Sequence, residues 1–267
     1  MILAVDIGNT NTSIGIFRGR RLVRAFAVAT EGWRRGRGPR LRGARGADPA
    51  IICSVVPWAT PRVSKALRSL GCRWVRVVGR DVRVPLKNRY RYPRQVGQDR
   101  LVGAYAALMA FKRDCIVCDF GTAITIDIVK AVKRQHLRTT NDERRTTEPQ
   151  GEYLGGVIAP GLEISLDALA SRTALLPKVA LREPPGLLGR DTANSIRSGI
   201  LYGSAALCDG LVTQLKRKYA PQAVVVATGG ASSLISRYIR TIDHLRPHLV
   251  LEGLSRLSSP TKRKPER

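Results

Sequence analysis

Apolar and polar residues alternate in short stretches along the first part of the chain. This pattern predicts β-strands near residues 2–7, 13–18, 21–29, 50–56 and 74–78. A helix is predicted over residues 60–70, with Thr60 as its N-cap and Pro61 at the first helical position. A second helix is predicted over residues 99–111, where apolar residues recur at helical spacing. Strands interleaved with helices predict an α/β protein.

The second half of the chain repeats the opening of the first. "VDIGNTNTSIGIF" and "CDFGTAITIDIV" both run from a strand through Asp, an apolar residue, Gly and small polar residues into a second strand. Helices near 161–171, 192–218, 231–240 and 250–257 and a strand over 223–230 follow. Because Asp6 and Asp119 lie about half the chain apart, we expect two similar domains, residues 1–114 and 115–267.

Two segments depart from these patterns. Residues 33–46, "WRRGRGPRLRGARG", contain six arginines and four glycines and no acidic residue. Residues 130–150 form a polar insertion between two predicted strands. Neither segment has enough apolar residues to bury a face, so we expect flexible, exposed loops.

The composition is basic, with a formal net charge of +26. Such a charge is compatible with nonspecific electrostatic binding to nucleic acid. Aromatic residues make up only 5% and do not alternate with the basic residues, as they would on a stacking surface for bases. The five irregularly spaced cysteines are expected to be core thiols in a reducing cytoplasm. Neither a signal peptide nor an apolar run long enough to span a membrane is expected.

Small polar residues fill the turn between the first two predicted strands, residues 6–13, which we name turn one. Gly8 would let the backbone approach a ligand closely, and a concave set of backbone N–H groups suits phosphate oxygens. Asp6 supplies a hard oxygen ligand for Mg²⁺, directly or through water. An ordinary tight turn would also use small residues, but an equivalent turn two, residues 119–122, favours a phosphate site.

A third glycine motif, "ATGGAS" at residues 227–232, would offer a flat surface to adenine or its ribose. With turn one and turn two it resembles the nucleotide-binding motifs of the actin–hexokinase superfamily. Within that superfamily, "YRYPRQVGQDR", "GEYLGGVIAPGLEISLDALASRTALLP" and "GRDTANSIRSGILYG" resemble the type III pantothenate kinases. The resemblance implies two similar ribonuclease H-like, actin-like ATPase domains facing each other across a nucleotide cleft. It also implies ATP-dependent phosphorylation of pantothenate to 4′-phosphopantothenate, the first step of coenzyme A synthesis.

The motif "VGQDR" contains the candidate catalytic base. Asp99 is predicted at the start of a helix, where the helix dipole favours an ionised carboxylate. Such a carboxylate can accept the proton of a substrate hydroxyl, and Arg100 beside it can bind the carboxylate of pantothenate. An N-cap aspartate followed by a surface arginine is a common structural pair, so the residues alone leave the role open. The resemblance implies that Asp99 is the base.

The resemblance also implies the remaining ligands. Mg-ATP phosphates would contact Asp6, Ile7, Gly8, Asn9, Thr10, Asn11, Thr12 and Ser13, with Thr122 reaching the nucleotide. Asp119 matches the family's ligand for a monovalent cation, K⁺ or NH₄⁺. Pantothenate would contact Tyr90, Gly97, Gln98, Asp99, Arg100 and Thr173, although Tyr92 competes with Tyr90 and the family often has alanine at position 98. The family further implies a cytoplasmic homodimer with its active site near the subunit interface.

Three alternatives remain at this point. The first is a transcription accessory or nucleic-acid-associated protein without kinase activity, which would not need Asp6, Asp99, Asp119 and Thr122 together. The second is another small-molecule kinase of the superfamily, which would lack "GQDR" and "RTALLP". The third is a copy with reduced activity, suggested by residues 30–50, where the family usually carries a longer helical segment with acidic residues.

Overall fold

The computed structural model describes residues 1–34, 47–132 and 150–258. The strands are β1 (Ile2–Ile7), β2 (Asn11–Arg18), β3 (Arg21–Ala29), β4 (Ala50–Ser54), β5 (Val75–Val77), β6 (Leu86–Asn88), β7 (Cys115–Phe120), β8 (Ala123–Val132), β9 (Gln150–Pro160), β10 (Val224–Thr228) and β11 (His244–Leu245). The helices are α1 (Ala59–Ser69), α2 (Gln98–Phe111), α3 (Leu162–Arg172), α4 (Thr192–Tyr219), α5 (Ser232–Ile235) and α6 (Leu249–Leu257). The loop predictions for residues 35–46 and 133–149 lie outside the described residues.

The chain forms two compact units. Unit one comprises Met1–Pro85, Tyr92–Ala106 and His248–Arg267, and unit two comprises Leu86–Arg91 and Ala107–Pro247. Each unit is therefore assembled from separate stretches of chain. The boundary that the sequence predicts between two domains, at residue 114, stays a prediction.

Unit one is built on a five-stranded sheet in the order β3-β2-β1-β4-β5. The first three strands are antiparallel neighbours, whereas β4 and β5 run parallel to β1. Both faces of the central strand β1 are buried, as expected for a sheet covered by helices. Leu3 and Val5 share one core cluster with Val63 of α1. Ala4 faces the other way and shares a cluster with Leu251 of α6.

Unit two contains a six-stranded sheet in the order β11-β10-β7-β8-β9-β6. Strands β7, β8 and β9 are antiparallel neighbours, β10 and β11 run parallel to β7, and β6 runs parallel to β9. Ile116 and Phe120 of β7 pack in one cluster with Leu201 of the long helix α4. These contacts bury the strand that leads into turn two.

The strand order of unit one recurs in unit two. In each, three antiparallel strands are followed by two strands parallel to the first, and β6 is an addition at one edge. Turn one joins β1 to β2 with Asp6 opposite Ser13, and turn two joins β7 to β8 with Asp119 opposite Thr125. The predicted internal repeat and the α/β fold class are confirmed.

Some local predictions are wrong. Helix α1 begins at Ala59 with Trp58 in the N-cap position, because the hydroxyl of Thr60 donates to Ser54 Oγ at 2.8 Å instead of capping the helix. The strand expected after residue 150 had no predicted bounds, because glycines in "GEYLGGVIAP" interrupt the apolar pattern; it is β9, Gln150–Pro160. The helix expected over residues 231–240 is only α5 followed by a short 3₁₀ turn.

All five cysteines are buried free thiols, which confirms that they belong to the core. Burial raises the pKa of Cys115 to about 12. Cys118 contacts Cys208 with their sulfurs 3.7 Å apart, and this contact together with burial raises the pKa of Cys118 well above its ordinary value. In the described part of the chain, no helix combines the length and the apolar character needed to cross a membrane.

Candidate active site

Turn one closes the β1–β2 hairpin and exposes its polar residues, Asn9, Thr10 and Asn11. The backbone N–H of Gly8 donates to the carbonyl of Asn11 at 3.0 Å. A Cβ at position 8 would lie 3.0 Å from the same carbonyl, so glycine permits this tight closure. Since the N–H of Gly8 is used inside the turn, it is not one of the open donors that we expected to face a phosphate.

The carboxylates of Asp6 and Asp99 act on the same buried thiol, that of Cys53. Cys53 lies on β4 directly beside Asp6 of β1 in the parallel register. The pKa of Cys53 is raised well above its ordinary value, chiefly by burial and further by the negative charges of Asp6 and Asp99. The backbone N–H of Val55, which follows β4, donates to the carbonyl of Ile7 at 3.1 Å, and a Cβ at Gly97 would lie 3.6 Å from Val55 Cγ1. Unit one thus brings the end of β1 and the start of α2 together around the end of β4.

Asp99 lies in the first turn of α2, and its carboxylate folds back over Gly97. Its Oδ1 accepts the backbone N–H of Arg100 at 2.8 Å, and a Cβ at position 97 would collide with the same oxygen. The side chain of Gln98 turns to Gly79, where a Cβ would lie 3.0 Å from its amide carbon. The Asp99 carboxylate can therefore occupy this position only because residue 97 has no side chain.

Turn two meets the end of β10 in unit two. Asp119 lies beside Thr228 in the parallel register, and Gly229 follows with φ at 94°. A Cβ at Gly229 would collide with Asp119 Oδ1 and lie 2.7 Å from the backbone of Phe120. On its other side, Oδ1 would be 3.4 Å from a Cβ at Gly121. Glycines from both motifs thus enclose the Asp119 carboxylate.

Thr122 and Thr173 are associated with opposite ends of α3. Gly161, the N-cap of α3, packs so closely on the carbonyl of Thr122 that a Cβ there would collide with it. Helix α3 has 11 residues, and a helix of that length spans about 16 Å. Thr173 lies beyond its far end, where its hydroxyl donates to the carbonyl of Leu169 at 2.8 Å. The structure therefore does not bring Thr173 to turn two.

Tyr90 packs against Tyr153 and Gly155 in unit two. The two tyrosine ring centroids are 6.5 Å apart, and a Cβ at Gly155, whose φ is 118°, would lie 3.2 Å from the Tyr90 ring. The Tyr153 hydroxyl donates to Oδ1 of the buried Asp127 at 2.7 Å. Tyr92 is 54% exposed. Tyr90, one of the two tyrosines considered for pantothenate, is thus packed against Tyr153 and Gly155.

Some of the residues behind the site were not expected from the sequence. The side chains of Ile7 and Thr12 are fully buried, so they support turn one from below. Thr12 bonds to the buried Thr30, a residue that the sequence did not single out. Trp33 is 2% exposed and belongs to the core of unit one, so the expectation of an exposed segment over residues 33–46 is wrong for Trp33.

A duplicated α/β fold with an Asp-x-Gly turn after β1 and another after β7 defines a protein of the actin–hexokinase fold class. The model of the family "Type III pantothenate kinase" matches residues 2–137 and 145–214. This chain belongs to that family.

Individual relatives agree with the family assignment. The chain is 38% identical over 268 residues to a type III pantothenate kinase of Acidothermus cellulolyticus, covering 95% of this chain and 96% of that protein. It is 40% identical over 277 residues to one of Rubrobacter xylanophilus, with coverage of 95% and 96%. Among solved structures, a Baf family transcriptional activator from Campylobacter jejuni has a TM-score of 0.53 at 17% identity, covering 96% of each chain. This last likeness concerns the fold alone.

Proposed function

We propose that this protein transfers the γ-phosphoryl group of ATP to the hydroxyl of pantothenate, giving 4′-phosphopantothenate and ADP. The observation that carries the proposal is that the end of β1 and the start of α2 both meet the end of β4 at Val55, in a chain that belongs to the type III pantothenate kinase family. It unites in unit one the turn assigned to the ATP phosphates and the carboxylate assigned to the substrate hydroxyl.

Asp99 is proposed as the general base. Its carboxylate accepts a proton from the hydroxyl of pantothenate, whose oxygen attacks the γ-phosphorus while the bond to ADP breaks. One carboxylate oxygen of Asp99 accepts the N–H of Arg100, so its orientation is held by the backbone of α2. The fixed position of the base supports this role, because proton transfer requires a defined geometry.

The donor sets fit the expected cations. Asp6 offers a hard carboxylate oxygen beside turn one, as suits Mg²⁺ that is bound mainly by ATP phosphates and water. Asp119, enclosed by Gly121 and Gly229, offers a carboxylate oxygen among backbone atoms, as suits K⁺ or NH₄⁺. When bound, such cations neutralise phosphate charge, while the backbone of the residues that follow Gly8 in turn one would orient the phosphates. Thr122 is assigned to the nucleotide.

Pantothenate is assigned to Tyr90, Gly97, Gln98, Asp99, Arg100 and Thr173. The guanidinium of Arg100 is suited to the carboxylate of this substrate. The ring of Tyr90, held by Gly155 and Tyr153, would offer a fixed apolar and hydroxyl-bearing surface. Since Gln98 packs on Gly79, we expect its side chain to shape the wall of the pocket and not to take part in proton transfer.

The test is a direct assay of the reaction. Purified protein is incubated with Mg-ATP and pantothenate, and 4′-phosphopantothenate is measured by mass spectrometry in K⁺, NH₄⁺ or Na⁺ buffer. We expect product at a rate that depends on the monovalent cation, and roughly 10²- to 10⁴-fold slower formation by the Asp99→Asn variant. ATP binding without product in any buffer would contradict the proposal and favour the reading of a copy with reduced activity.

We further propose that the protein is a cytoplasmic homodimer, as the family resemblance implies. Exposed apolar side chains in unit two support an interface there, in particular Ile158, Leu175, Leu187 and Leu188. Light scattering should give twice the chain mass of 29.3 kDa. The double change of Leu187 and Leu188 to serine should shift the protein toward the monomer.

A nucleic-acid-associated role without kinase activity is the weaker candidate. The net charge of +26 and the name of the Campylobacter jejuni structure favour it, whereas the family assignment does not. We expect nonspecific binding to DNA or RNA that weakens steeply with salt. A sequence preference that survives physiological salt would instead support a regulatory role.

A further inference from the structure

A buried chain of hydrogen bonds runs beneath turn one from Trp33 to Gly8. The indole Nε1 of Trp33 donates to Thr12 Oγ1 at 3.1 Å, and Thr12 Oγ1 lies 3.0 Å from Thr30 Oγ1. The hydroxyl of Thr30 donates to the carbonyl of Gly8 at 2.7 Å. The three side chains are almost completely buried, with Trp33 at 2% and both threonines at 0% exposure.

The chemistry of its two ends fixes the direction of this chain. An indole N–H can only donate, and a carbonyl oxygen can only accept. Since Thr30 gives its hydroxyl hydrogen to Gly8, the bond between the threonines must be donated by Thr12. Thr12 then has an acceptor lone pair for Trp33. The hydroxyl hydrogens of Thr12 and Thr30 are each used once in this series of hydrogen bonds. Reversing one of the bonds would leave a buried donor or acceptor unpaired.

This chain of bonds orients one peptide group of turn one. In a planar trans peptide, the C=O and N–H bonds point in opposite directions. Because the carbonyl of Gly8 is held toward the buried Thr30, the N–H of Asn9 in the same peptide points to the opposite, exposed side of the turn. That is where a phosphate oxygen would approach.

We propose that Trp33 is a positioning residue for the phosphate-binding backbone of turn one, acting through Thr12 and Thr30 on the Gly8–Asn9 peptide. The inference rests on the proposed function of turn one as the ATP phosphate site. It gives a role to a residue that begins the arginine–glycine segment and that the reaction itself does not require.

Further contacts hold Trp33 in place. It ends the short 3₁₀ turn Thr30–Trp33, so Thr30 and Trp33 are parts of one rigid element. Arg34, the next residue, forms an ion pair with Glu31 at 2.9 Å and lies 4.4 Å over the ring of Trp58. Trp33 and Arg34 are therefore both fixed by contacts within unit one.

The first test is Trp33→Phe, which keeps an aromatic ring but removes the N–H donor. Loss of one buried hydrogen bond of this kind should raise the KM for ATP about 3- to 10-fold. The kcat and the KM for pantothenate should stay within about twofold, because Asp99 is not touched by the chain of bonds. The matched control is Trp74→Phe, at a residue that is 62% exposed, and it should leave all three constants unchanged.

Thr30 provides the second pair of variants. Thr30→Val keeps the shape of the side chain but cannot donate to Gly8, whereas Thr30→Ser keeps the hydroxyl. We expect weaker ATP binding in Thr30→Val and near-normal binding in Thr30→Ser. If both lower the melting temperature equally and neither changes the KM for ATP, the chain of bonds is structural only and the proposal is overturned.

A spectroscopic readout is independent of turnover. The chain has three tryptophans, so the double variant Trp58→Phe, Trp74→Phe emits from Trp33 alone. Adding Mg-ADP or Mg-ATP should change this emission, and adding pantothenate alone should not. Calorimetry of the unmodified protein with Mg-ADP tests whether nucleotide binds at all. It thereby distinguishes a failure of the positioning role of Trp33 from a failure of the phosphate role of turn one. Binding without a fluorescence or KM response would reject the role of Trp33, whereas absence of nucleotide binding would reject the phosphate role of turn one itself.

Discussion

The carboxylate of Asp99 lies over Gly97, two residues earlier in the chain, closer than a Cβ atom at position 97 would permit. The glycine of "VGQDR" is thereby tied to the position of the proposed base. This relationship predicts that the motif depends on its glycine as well as on its acid.

Gly97→Ala should displace the Asp99 carboxylate and lower kcat by at least about 10-fold, because the base would leave its aligned position. Gly103→Ala on the same helix is the matched control, since a Cβ there meets only Val250 at 3.8 Å, an ordinary contact. The control should keep full activity and, in a helix interior, gain slightly in stability. Equal kinetics for the two variants would separate Gly97 from the position of the base.

Asp99→Asn should lower kcat by roughly 10²- to 10⁴-fold, because the amide can still accept the N–H of Arg100 but cannot take a proton. Titration calorimetry should find Mg-ATP affinity nearly unchanged. Asp6→Asn should behave in the opposite way and weaken Mg-ATP binding, since it removes an anionic oxygen next to turn one. Near-normal turnover in a folded Asp99→Asn protein would remove Asp99 from the mechanism.

Gly229→Ala should destabilise unit two by roughly 1–3 kcal/mol, because its positive φ strains an L-residue and the new Cβ collides with Asp119. The response of turnover to K⁺ should decrease along with stability. At Gly230 a Cβ would meet open space, so Gly230→Ala should keep the melting temperature. If Gly230→Ala lowers ATP affinity without lowering stability, the loss is assigned to contact between the "ATGGAS" motif and the adenine or ribose of ATP.

Tyr153→Phe should destabilise the protein by about 1–3 kcal/mol, because the buried Asp127 loses a hydrogen-bond donor. Chemical denaturation measures this change, and it should be accompanied by a higher KM for pantothenate if Tyr153 also supports Tyr90. Tyr219→Phe, at a residue that is 50% exposed, is the control and should change stability by less than about 0.5 kcal/mol.

The thiols should be unreactive in the folded protein near pH 8, close to the ordinary pKa of cysteine. The thiolate is the reactive form, and a raised pKa keeps Cys53, Cys115 and Cys118 protonated as the pH increases through that value. A colorimetric thiol reagent should therefore react slowly with the native protein and with all five cysteines after denaturation. Rapid labelling of Cys53 in the native state would contradict its enclosure beside Asp6 and Asp99.

Much of the fold could be predicted because its strands have strong local patterns. The similarity of the residues around Asp6 and Asp119 indicated the duplication, and the strand order of the two units confirms it. The bounds of strand β9 could not be found in the same way, because its glycines give room to neighbours such as Asp127 and Tyr90. Such contacts depend on residues far away in the sequence, and periodicity does not detect them.

The sequence predicted the exposed residues of the site, but it did not predict the buried residues that hold them in position. The sequence drew attention to Asp6 and Asp119 as acids two residues before a glycine at a strand end, and to Asp99 as an acid at the start of a predicted helix. It did not reveal that Thr12 faces inward, because the alternation of β2 places it on either face until the partner Thr30 is known. Trp33 was grouped with the arginines that follow it and expected to be exposed. It is instead buried, and its indole N–H donates to Thr12.

Helix α6 completes the first unit although it is among the last described parts of the chain. Its residues Leu251 and Leu254 pack with Ala4 and Phe17 on one face of the first sheet. During synthesis that face must remain uncovered until residues 249–257 have left the ribosome. A nascent chain stalled before Leu249 should therefore expose an apolar sheet face to chaperones.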